Sequence, residues 1–170
     1  ETKLVDKSEL HNVVGSDFYI GGLIDMGSGH LHPLKLNVAE AREAERQGAK
    51  IFENSKVVNI AKGNRCTIET EQASIECDTL VICGNAYVGD LDDTLGGQVL
   101  PAGSYILATE PLTDDEAMRV LPQDMAVCDQ RVDLDYYRLS KEKRLLFGGL
   151  CTFSGRDPKS IIHALKPNLD

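Results

Sequence analysis

The sequence predicts a mixed α/β fold of the α+β class, in which a helix and short strands precede an antiparallel sheet with helices. Three observations support this prediction. Residues 33–48 have the start and stop signals of one helix, and residues 56–77 have the pattern of a β-meander. Residues 102–170 contain several β-rich segments without a regular alternation of strands and helices. We therefore expect an antiparallel sheet in the second half of the chain.

Residues 33–48 predict an amphipathic helix. Pro33 occupies the first helical position, where its missing N–H is one that the helix would leave unpaired anyway. Gly48 supplies a residue that readily adopts the left-handed conformation at a helix end. The apolar segment 49–52 follows, and we interpret it as a buried strand parallel to another strand. The apolar stripe of the helix consists of Leu34, Val38 and Ala41.

Residues 56–77 predict an antiparallel meander of three short strands. Gly63–Asn64 and Glu71–Gln72 separate the apolar-alternating segments and supply its two turns. The apolar segment 80–83 ends at Gly84 and predicts one more buried strand. A glycine at a strand end allows a backbone to approach a ligand closely.

The second half of the chain predicts one strand over residues 104–110 and a hairpin over 134–140 and 144–150. A short helix over 113–120 begins with a capping-box pattern. A last helix is expected from about 158 to 165.

Composition excludes several classes of function. The net charge is −9, from 18 Lys and Arg against 27 Asp and Glu, and no basic patch is present. Nucleic acid is therefore not an expected partner, and neither is an anionic membrane surface. No apolar run approaches the roughly 20 residues that span a bilayer, and no signal peptide is visible. We expect a cytoplasmic protein.

The cysteines and histidines predict no metal site. The five cysteines contain no C-x-x-C pair, which argues against a zinc site and a disulfide framework. His30 and His32 have the H-x-H spacing that places two side chains on one face, but a third ligand is missing, and His11 and His163 have no partner motif. A helix-capping or packing role for His32, or a pocket position for one histidine, is the favoured alternative.

The order of the motifs resembles a known family. GHLHPLKL is followed by the helix, Gly-Ala-x-Ile-x-Glu, the meander, DTLVICGNAY, SYILATEPL and DYYRLSKEKRLLFGG. This order resembles the D-amino-acid-oxidase-like FAD-dependent oxidoreductases, and within them the gamma-glutamylputrescine oxidoreductase branch. The resemblance runs from about Gly21 to Gly149. Individual motifs are loose, and their order and spacing carry the specificity.

The resemblance implies an enzyme that oxidises an amine or amino acid at a C–H next to nitrogen and passes hydride to N5 of FAD. It implies that residues 21–100 are a partial, Rossmann-like FAD-binding domain. Residues 101–170 would be a partial substrate-binding domain, and residues 1–20 a connector. The expected substrate is a small-molecule amine such as gamma-glutamylputrescine.

The resemblance also assigns site residues, none of them catalytic. Val57 matches a valine whose backbone meets the adenine of FAD, and Cys83 and Gly84 match a strand end near its ADP part. Tyr137 matches a tyrosine that lines the substrate pocket. Arg138 would pair with a carboxylate bidentately.

Two further expectations concern these assignments. Successive strand residues point to opposite faces, so Tyr137 and Arg138 cannot both face the flavin without a bulge, and Tyr137 is preferred. His30 is expected at the rim of the pocket.

The sequence departs from the family pattern, because no G-x-G-x-x-G follows a strand. We therefore expect a central fragment of the enzyme that binds FAD poorly and has no turnover alone. The alternative is a non-catalytic small-molecule binding module derived from the same fold, and a third reading is an α+β domain with another role. Apolar surface exposed by truncation would favour a homodimer.

Overall fold

The computed structural model describes residues 1–132 and 134–169, without the side chain of Asp90. These residues form two compact units. Unit 1 comprises Glu1–Leu36 and Ala102–Asp170, and unit 2 comprises Asn37–Pro101.

Within the described residues there are nine strands and four α-helices, joined by turns and short 3-10 segments. The strands are β1 Thr2–Asp6, β2 Gly21–Asp25, β3 Val57–Ala61, β4 Cys66–Thr70, β5 Ser74–Cys77, β6 Gly103–Pro111, β7 Val127–Cys128, β8 Tyr136–Leu139 and β9 Arg144–Thr152. The helices are α1 Pro33–Arg46, α2 Asp93–Gly96, α3 Asp114–Val120 and α4 Ile161–Leu169. No helix in the described part of the chain is long and apolar enough to cross a bilayer.

Helix α1 confirms the predicted boundaries. It begins at Pro33 and ends at Arg46. Gly48, just beyond it, has a φ of 100°, a backbone conformation that a side chain would strain. The apolar stripe lies exposed, with Leu34 at 66% of its maximal accessibility.

The meander of unit 2 is also confirmed. Strands β3, β4 and β5 pair in that order, each antiparallel to the next. The second turn is closed by the N–H of Thr70, which donates to the carbonyl of Ala73 at 2.8 Å. The isoleucines form a row across the three strands, because Ile68 pairs with both Ile60 and Ile75.

Two predicted strands do not form. Residues 49–52 and 80–83 are irregular, and among the described residues neither segment pairs with a strand. Phe52 at 64% and Val81 at 75% accessibility are exposed, whereas Leu80 and Ile82 are half-buried. Apolar composition predicts burial, but a strand also needs a hydrogen-bonding neighbour.

Unit 1 contains the predicted antiparallel sheet. Its strand order is β6–β9–β8–β7, and all its pairs are antiparallel. The hairpin β8–β9 turns at Lys143, which has a φ of 58°. A separate two-stranded sheet, β1–β2, belongs to the same unit.

Residues 1–20, expected to be a connector, and residues 21–36, expected to belong to the FAD-binding part, lie in unit 1. Residues 2–6 form β1, and its Val5 is buried. Val5, Leu10 and Val14 share one core with side chains of the four-stranded sheet. The N-terminal residues of the chain therefore contribute side chains to the core of unit 1.

Helices α3 and α4 complete unit 1. The capping box of α3 is present: the Thr113 hydroxyl accepts the N–H of Glu116, and the Glu116 carboxylate accepts the N–H of Thr113. These contacts satisfy two backbone donors that the helix start would otherwise leave unpaired. Helix α4 begins later than predicted, at Ile161, and buries Leu165.

Candidate functional site

The four-stranded sheet of unit 1 has one filled face and one open face. Because side chains alternate along a strand, the two tyrosines of DYYR point to opposite faces. Tyr137 lies on the filled face, at 8% accessibility, and stacks on Phe147 with ring centroids 5.6 Å apart. Its hydroxyl donates to the hydroxyl of Tyr19 at 3.2 Å. Burial, followed by this hydrogen bond, raises the pKa of Tyr137 far above the usual tyrosine value.

The open face contains Tyr136 and Arg138. The hydroxyl of Tyr136 lies 2.8 Å from the hydroxyl of Ser104. Its ring covers Gly148, where an added Cβ would come within 2.2 Å of the ring. A glycine at this position therefore provides the space that the Tyr136 ring occupies. Ile106, on the same row of the sheet, is 58% exposed.

Arg138 belongs to the next row of the open face. It pairs with Leu146, which in turn pairs with Ala108. The Arg138 side chain is half-buried, and its Nη1 donates to the Leu139 carbonyl at 3.1 Å. A guanidinium has five donors, so this single bond leaves donors able to bind an anionic ligand.

His30 lies in the exposed segment between β2 and α1. Its Nε2 is 2.9 Å from the carbonyl oxygen of Asp124, in the turn between α3 and β7. This contact anchors the His30 segment to that turn. The Nδ1 of His32 accepts the N–H of Lys35 at 3.4 Å, a weak hydrogen bond at the first turn of α1. The expected capping role of His32 is thus confirmed.

A buried carboxylate of unit 1 was not predicted from the sequence. Asp135 is 1% exposed and forms an ion pair with Arg131. The amide of Asn168 donates to the same carboxylate at 3.2 Å, and Asp129 accepts the backbone N–H of Asp135 at 3.0 Å. The guanidinium of Arg131 also lies 5.4 Å from the ring centre of Phe18. The buried carboxylate of Asp135 is therefore compensated by the Arg131 guanidinium, which also pairs with Asp129 at 2.6 Å, and by the Asn168 amide.

The three candidate cofactor residues all lie in unit 2. Val57 is half-buried at the start of β3, next to a register shift between Val57 and Asn59. Cys83 is exposed. Gly84 precedes a 3-10 turn, and a Cβ there would lie 2.9 Å from Cγ2 of Val88. The small size of Gly84 is thus already required by packing within the chain.

These residues fit only one part of a dinucleotide site. Val57 and Gly84 can offer backbone edges to a flat ring or a ribose. Binding of the pyrophosphate requires a glycine-rich loop at a helix N-terminus, and the sequence has no G-x-G-x-x-G. Whether Val57, Cys83 and Gly84 contact FAD stays a prediction. Among the described residues, no group of three or more His, Cys, Asp or Glu side chains is arranged to hold a metal ion.

Unit 2 also contains an open groove of about 360 Å³, and Lys62, Cys66 and Asp92 contribute to its lining. The Lys62 ammonium contacts the Asp92 carboxylate at 2.6 Å. Asp92 also accepts the N–H groups of Thr94 and Leu95 at the start of α2. The hydrogen bond from Lys62 is the largest cause that lowers the pKa of Asp92, and the hydrogen bond from Leu95 adds to it.

The sequence favoured the face of the DYYR strand that contains Tyr137, which the structure shows to be the filled face. One signal was available: Gly148 lies opposite Tyr136 in the β8–β9 register, and glycine is the residue that accommodates a ring lying flat across the neighbouring strand. The ion pair of Arg131 and Asp135 had no such signal, because two charged residues four apart in a loop are usually solvated.

Comparison with known proteins identifies the family. The family model described as DAO, FAD dependent oxidoreductase, matches residues 1–169. Gamma-glutamylputrescine oxidoreductase of Escherichia coli strain K12 is 33% identical over 170 residues, which is 99% of this chain and 40% of that protein. A probable oxidoreductase, OrdL, of Haemophilus influenzae is 40% identical over 172 residues, which is 98% of this chain and 39% of that protein. The chain thus spans about two fifths of the length of these relatives.

A solved structure has the same fold. The glycine oxidase of Geobacillus kaustophilus superimposes with a TM-score of 0.68 at 20% identity, over 95% of this chain and 43% of that chain. At this identity the likeness concerns the fold. It agrees with the predicted class, a mixed α/β fold with antiparallel sheets and helices. The family match over nearly the whole chain shows that this protein belongs to the DAO family of FAD-dependent oxidoreductases.

Proposed function

We propose that this chain is the central part of an enzyme that oxidises an amine at a C–H next to nitrogen, with gamma-glutamylputrescine or a related amine as substrate. The observation that carries the proposal is the family match over residues 1–169, combined with a 33% identical relative named gamma-glutamylputrescine oxidoreductase. When bound, FAD would supply the acceptor for the hydride. The net charge of −9 also favours the approach of a cationic amine.

We propose the open face of the unit 1 sheet as the side that meets the substrate. The filled face is occupied by core side chains, including Tyr137 and Phe147, which are 8% and 4% exposed. The expectation that Tyr137 lines the pocket therefore gives way, in this proposal, to Tyr136 and Arg138 on the open face. His30 is kept as a candidate for the rim of the same site.

Arg138 has the chemistry to bind the carboxylate of a gamma-glutamyl group. A guanidinium pairs with a carboxylate through two parallel hydrogen bonds. Ser104 and Tyr136 add two hydroxyl groups on the same face, 2.8 Å apart, which suit a polar substrate chain. These residues bind and orient the substrate, and no catalytic residue is assigned to this chain.

A comparison of two substrates in the complete enzyme tests the role of Arg138. Arg138→Ala should raise KM for gamma-glutamylputrescine at least about tenfold, because a charge-assisted pair contributes roughly 1.5–3 kcal/mol. KM for N-acetylputrescine, which lacks the carboxylate, should change little. The control is Lys7→Ala, because Lys7 is exposed and lies far from Arg138 in the sequence. An equal effect of Arg138→Ala on both substrates would remove Arg138 from carboxylate binding.

We propose that the chain alone binds FAD poorly and has no turnover, because its sequence lacks the phosphate-binding loop. The purified chain should show no stoichiometric flavin absorbance. A flavin band that copurifies at one equivalent would contradict this. The alternative function is a non-catalytic binding module. It predicts that amines bind to the isolated chain. It also predicts that the chain is not encoded within a larger coding region that contains a G-x-G-x-x-G motif.

We further propose a cytoplasmic location and self-association of the isolated chain. Phe52 and Val81 of unit 2 and, separately, Ile106 of unit 1 are apolar and exposed, and exposed apolar side chains favour association. Light scattering of the chain at increasing concentration should show a dimer. A monomer at the highest concentration would contradict self-association.

A further inference from the structure

Two of the five cysteines face each other across the meander of unit 2. Cys66 and Cys77 are direct partners in the antiparallel pairing of β4 with β5. They lie at equal distances from the turn at Glu71 and Gln72, so the hairpin itself brings them together. Directly opposed residues of an antiparallel pair lie on the same face of the sheet.

The backbone separation of such partners suits a disulfide. Opposed residues in antiparallel strands have Cα atoms about 4.5–5.5 Å apart. A disulfide spans Cα separations of about 4.4–6.8 Å. Both cysteines are free thiols in this structure. A bond between the two sulfurs would therefore require only side-chain rotation and a small adjustment of the strands.

The neighbouring residues hold the two strand ends in register. Arg65 precedes Cys66, and Asp78 follows Cys77. The Nε of Arg65 contacts Oδ1 of Asp78 at 2.9 Å. This ion pair joins the two strands immediately beyond the cysteines and limits separation of the strand ends where the thiols lie.

A reagent can reach the pair. Cys66 and Cys77 are both half-buried, and Cys66 lines the open groove of about 360 Å³. Lys62, whose ammonium is paired with Asp92, lines the same groove.

We propose that Cys66 and Cys77 are a dithiol modification site that reacts with a low-molecular-weight disulfide to form an intrachain disulfide across β4 and β5. The inference does not depend on the proposed enzymatic function. It rests on the register of the two cysteines, their common face and the access that the groove provides.

The reaction consists of two thiol–disulfide exchanges. The Cys66 thiolate attacks one sulfur of the small disulfide, a protein–small-molecule S–S bond forms, and the first small thiolate leaves. The Cys77 thiolate then attacks the Cys66 sulfur, the intrachain S–S bond forms, and the second small thiolate leaves. The two protons lost by the cysteines are taken up by the two leaving thiolates. The two protein thiols are oxidised, and the small disulfide is reduced to two thiols.

Peptide mapping tests the proposal with oxidised glutathione as the probe. The reduced chain is incubated with oxidised glutathione, remaining thiols are alkylated, and the product is cut after glutamate. Cleavage after Glu53, Glu69, Glu76 and Glu116 releases Cys66 in peptide 54–69 and Cys77 in peptide 77–116, since the Glu110–Pro111 bond resists cleavage. The expected result is a linked pair of these peptides, about 2 Da lighter than their sum because two hydrogens are lost. Fragmentation must place the link at Cys77 and not at Cys83, which shares its peptide.

Single substitutions separate this outcome from nonspecific oxidation. In Cys77→Ser, the second exchange is impossible. A glutathione adduct on Cys66 should therefore accumulate in this variant, whereas the unsubstituted chain should not retain such an adduct. Cys66→Ser should lose the link, whereas the control Cys151→Ser, an exposed cysteine of unit 1, should keep it. A link through Cys83, stable glutathione adducts on both Cys66 and Cys77, or no reaction at either residue would overturn the proposal.

Discussion

The hydroxyl of Tyr137 donates a hydrogen bond to the hydroxyl of Tyr19, 118 residues earlier in the sequence, at 3.2 Å. The bond joins the segment before β2 to the central hairpin of the four-stranded sheet. Tyr137 is buried and also stacks on Phe147, so the bond lies at the edge of the unit 1 core. Tyr137 is therefore part of the core that holds the open face in position.

The first prediction concerns the energy of this contact. Tyr137→Phe keeps the stacked ring and removes the hydroxyl, and should lower the free energy of unfolding by about 1 kcal/mol. Tyr137→Ala also removes the ring and should cost roughly 3–5 kcal/mol. Urea unfolding followed by circular dichroism measures both. The control is Tyr87→Phe, at a tyrosine that is 95% exposed. A loss as large for Tyr87→Phe as for Tyr137→Phe would show that the core hydroxyl has no special role.

The second prediction concerns alkaline pH. Burial raises the pKa of Tyr137 in the folded chain above its unfolded value, so the folded chain holds this proton more tightly. The contribution of Tyr137 to the free energy of unfolding is fully present below the ordinary tyrosine pKa of about 10. It decreases as the pH rises above that value, because the unfolded chain releases the tyrosine proton first. The free energy of unfolding should therefore decline less steeply above that pH in Tyr137→Phe than in the unsubstituted chain. Identical slopes would contradict the burial of a protonated Tyr137.

The third prediction concerns the buried carboxylate of Asp135. Removing its partner by Arg131→Ala leaves a charge that is 1% exposed without its ion pair, and should cost roughly 3–5 kcal/mol of unfolding free energy. Arg65→Ala removes an arginine whose partners are exposed, and should cost at most about 1 kcal/mol. Chemical denaturation of the two variants measures the difference. Comparable losses would show that the Asp135 charge is solvated.

The fourth prediction concerns Gly148 and the Tyr136 ring that covers it. Gly148→Ala places a methyl group where the ring lies and should destabilise the chain by about 1–3 kcal/mol, since the ring must leave Ser104. In a Tyr136→Ala background the ring is absent, so the same change should cost less. A double-mutant cycle measures the coupling. Additive losses would show that Tyr136 does not occupy this position.

The elements that sequence reasoning found are those with local signals. Helix α1 has a proline start and a glycine stop, and the meander has turn residues between alternating segments. The β8–β9 hairpin and the capping box of α3 were found for the same reason. In each case the residues that determine the element lie within the element or next to it.

The elements that sequence reasoning missed depend on residues that are far away in the sequence. Segments 49–52 and 80–83 are apolar, but no described strand pairs with them, so composition alone overstated their regularity. Residues 1–20 have weak local signals, and their structure comes from packing of Val5, Leu10 and Val14 against residues more than a hundred positions away. Intrinsic preference in such segments is overridden by tertiary contacts.

The candidate site was predictable in part. The motif DYYR drew attention to β8 and favoured Tyr137 over Arg138, whereas the sequence could not show that the face with Tyr137 is the filled one. A one-residue change in alternation moves every side chain to the other face, and the sequence of β8 has apolar or aromatic residues on both. The packing around Tyr137 supplies this information.

Flavin reduction by candidate amines tests the central claim most directly. The complete enzyme that contains this chain is loaded with FAD and mixed without oxygen with gamma-glutamylputrescine, sarcosine, glycine or D-alanine, and the visible absorbance of oxidised flavin is followed. Dithionite serves as the control for a reducible, bound flavin. We expect the fastest loss of absorbance with gamma-glutamylputrescine and a slower loss in Arg138→Ala. A flavin that dithionite reduces and none of the four amines reduces would contradict it.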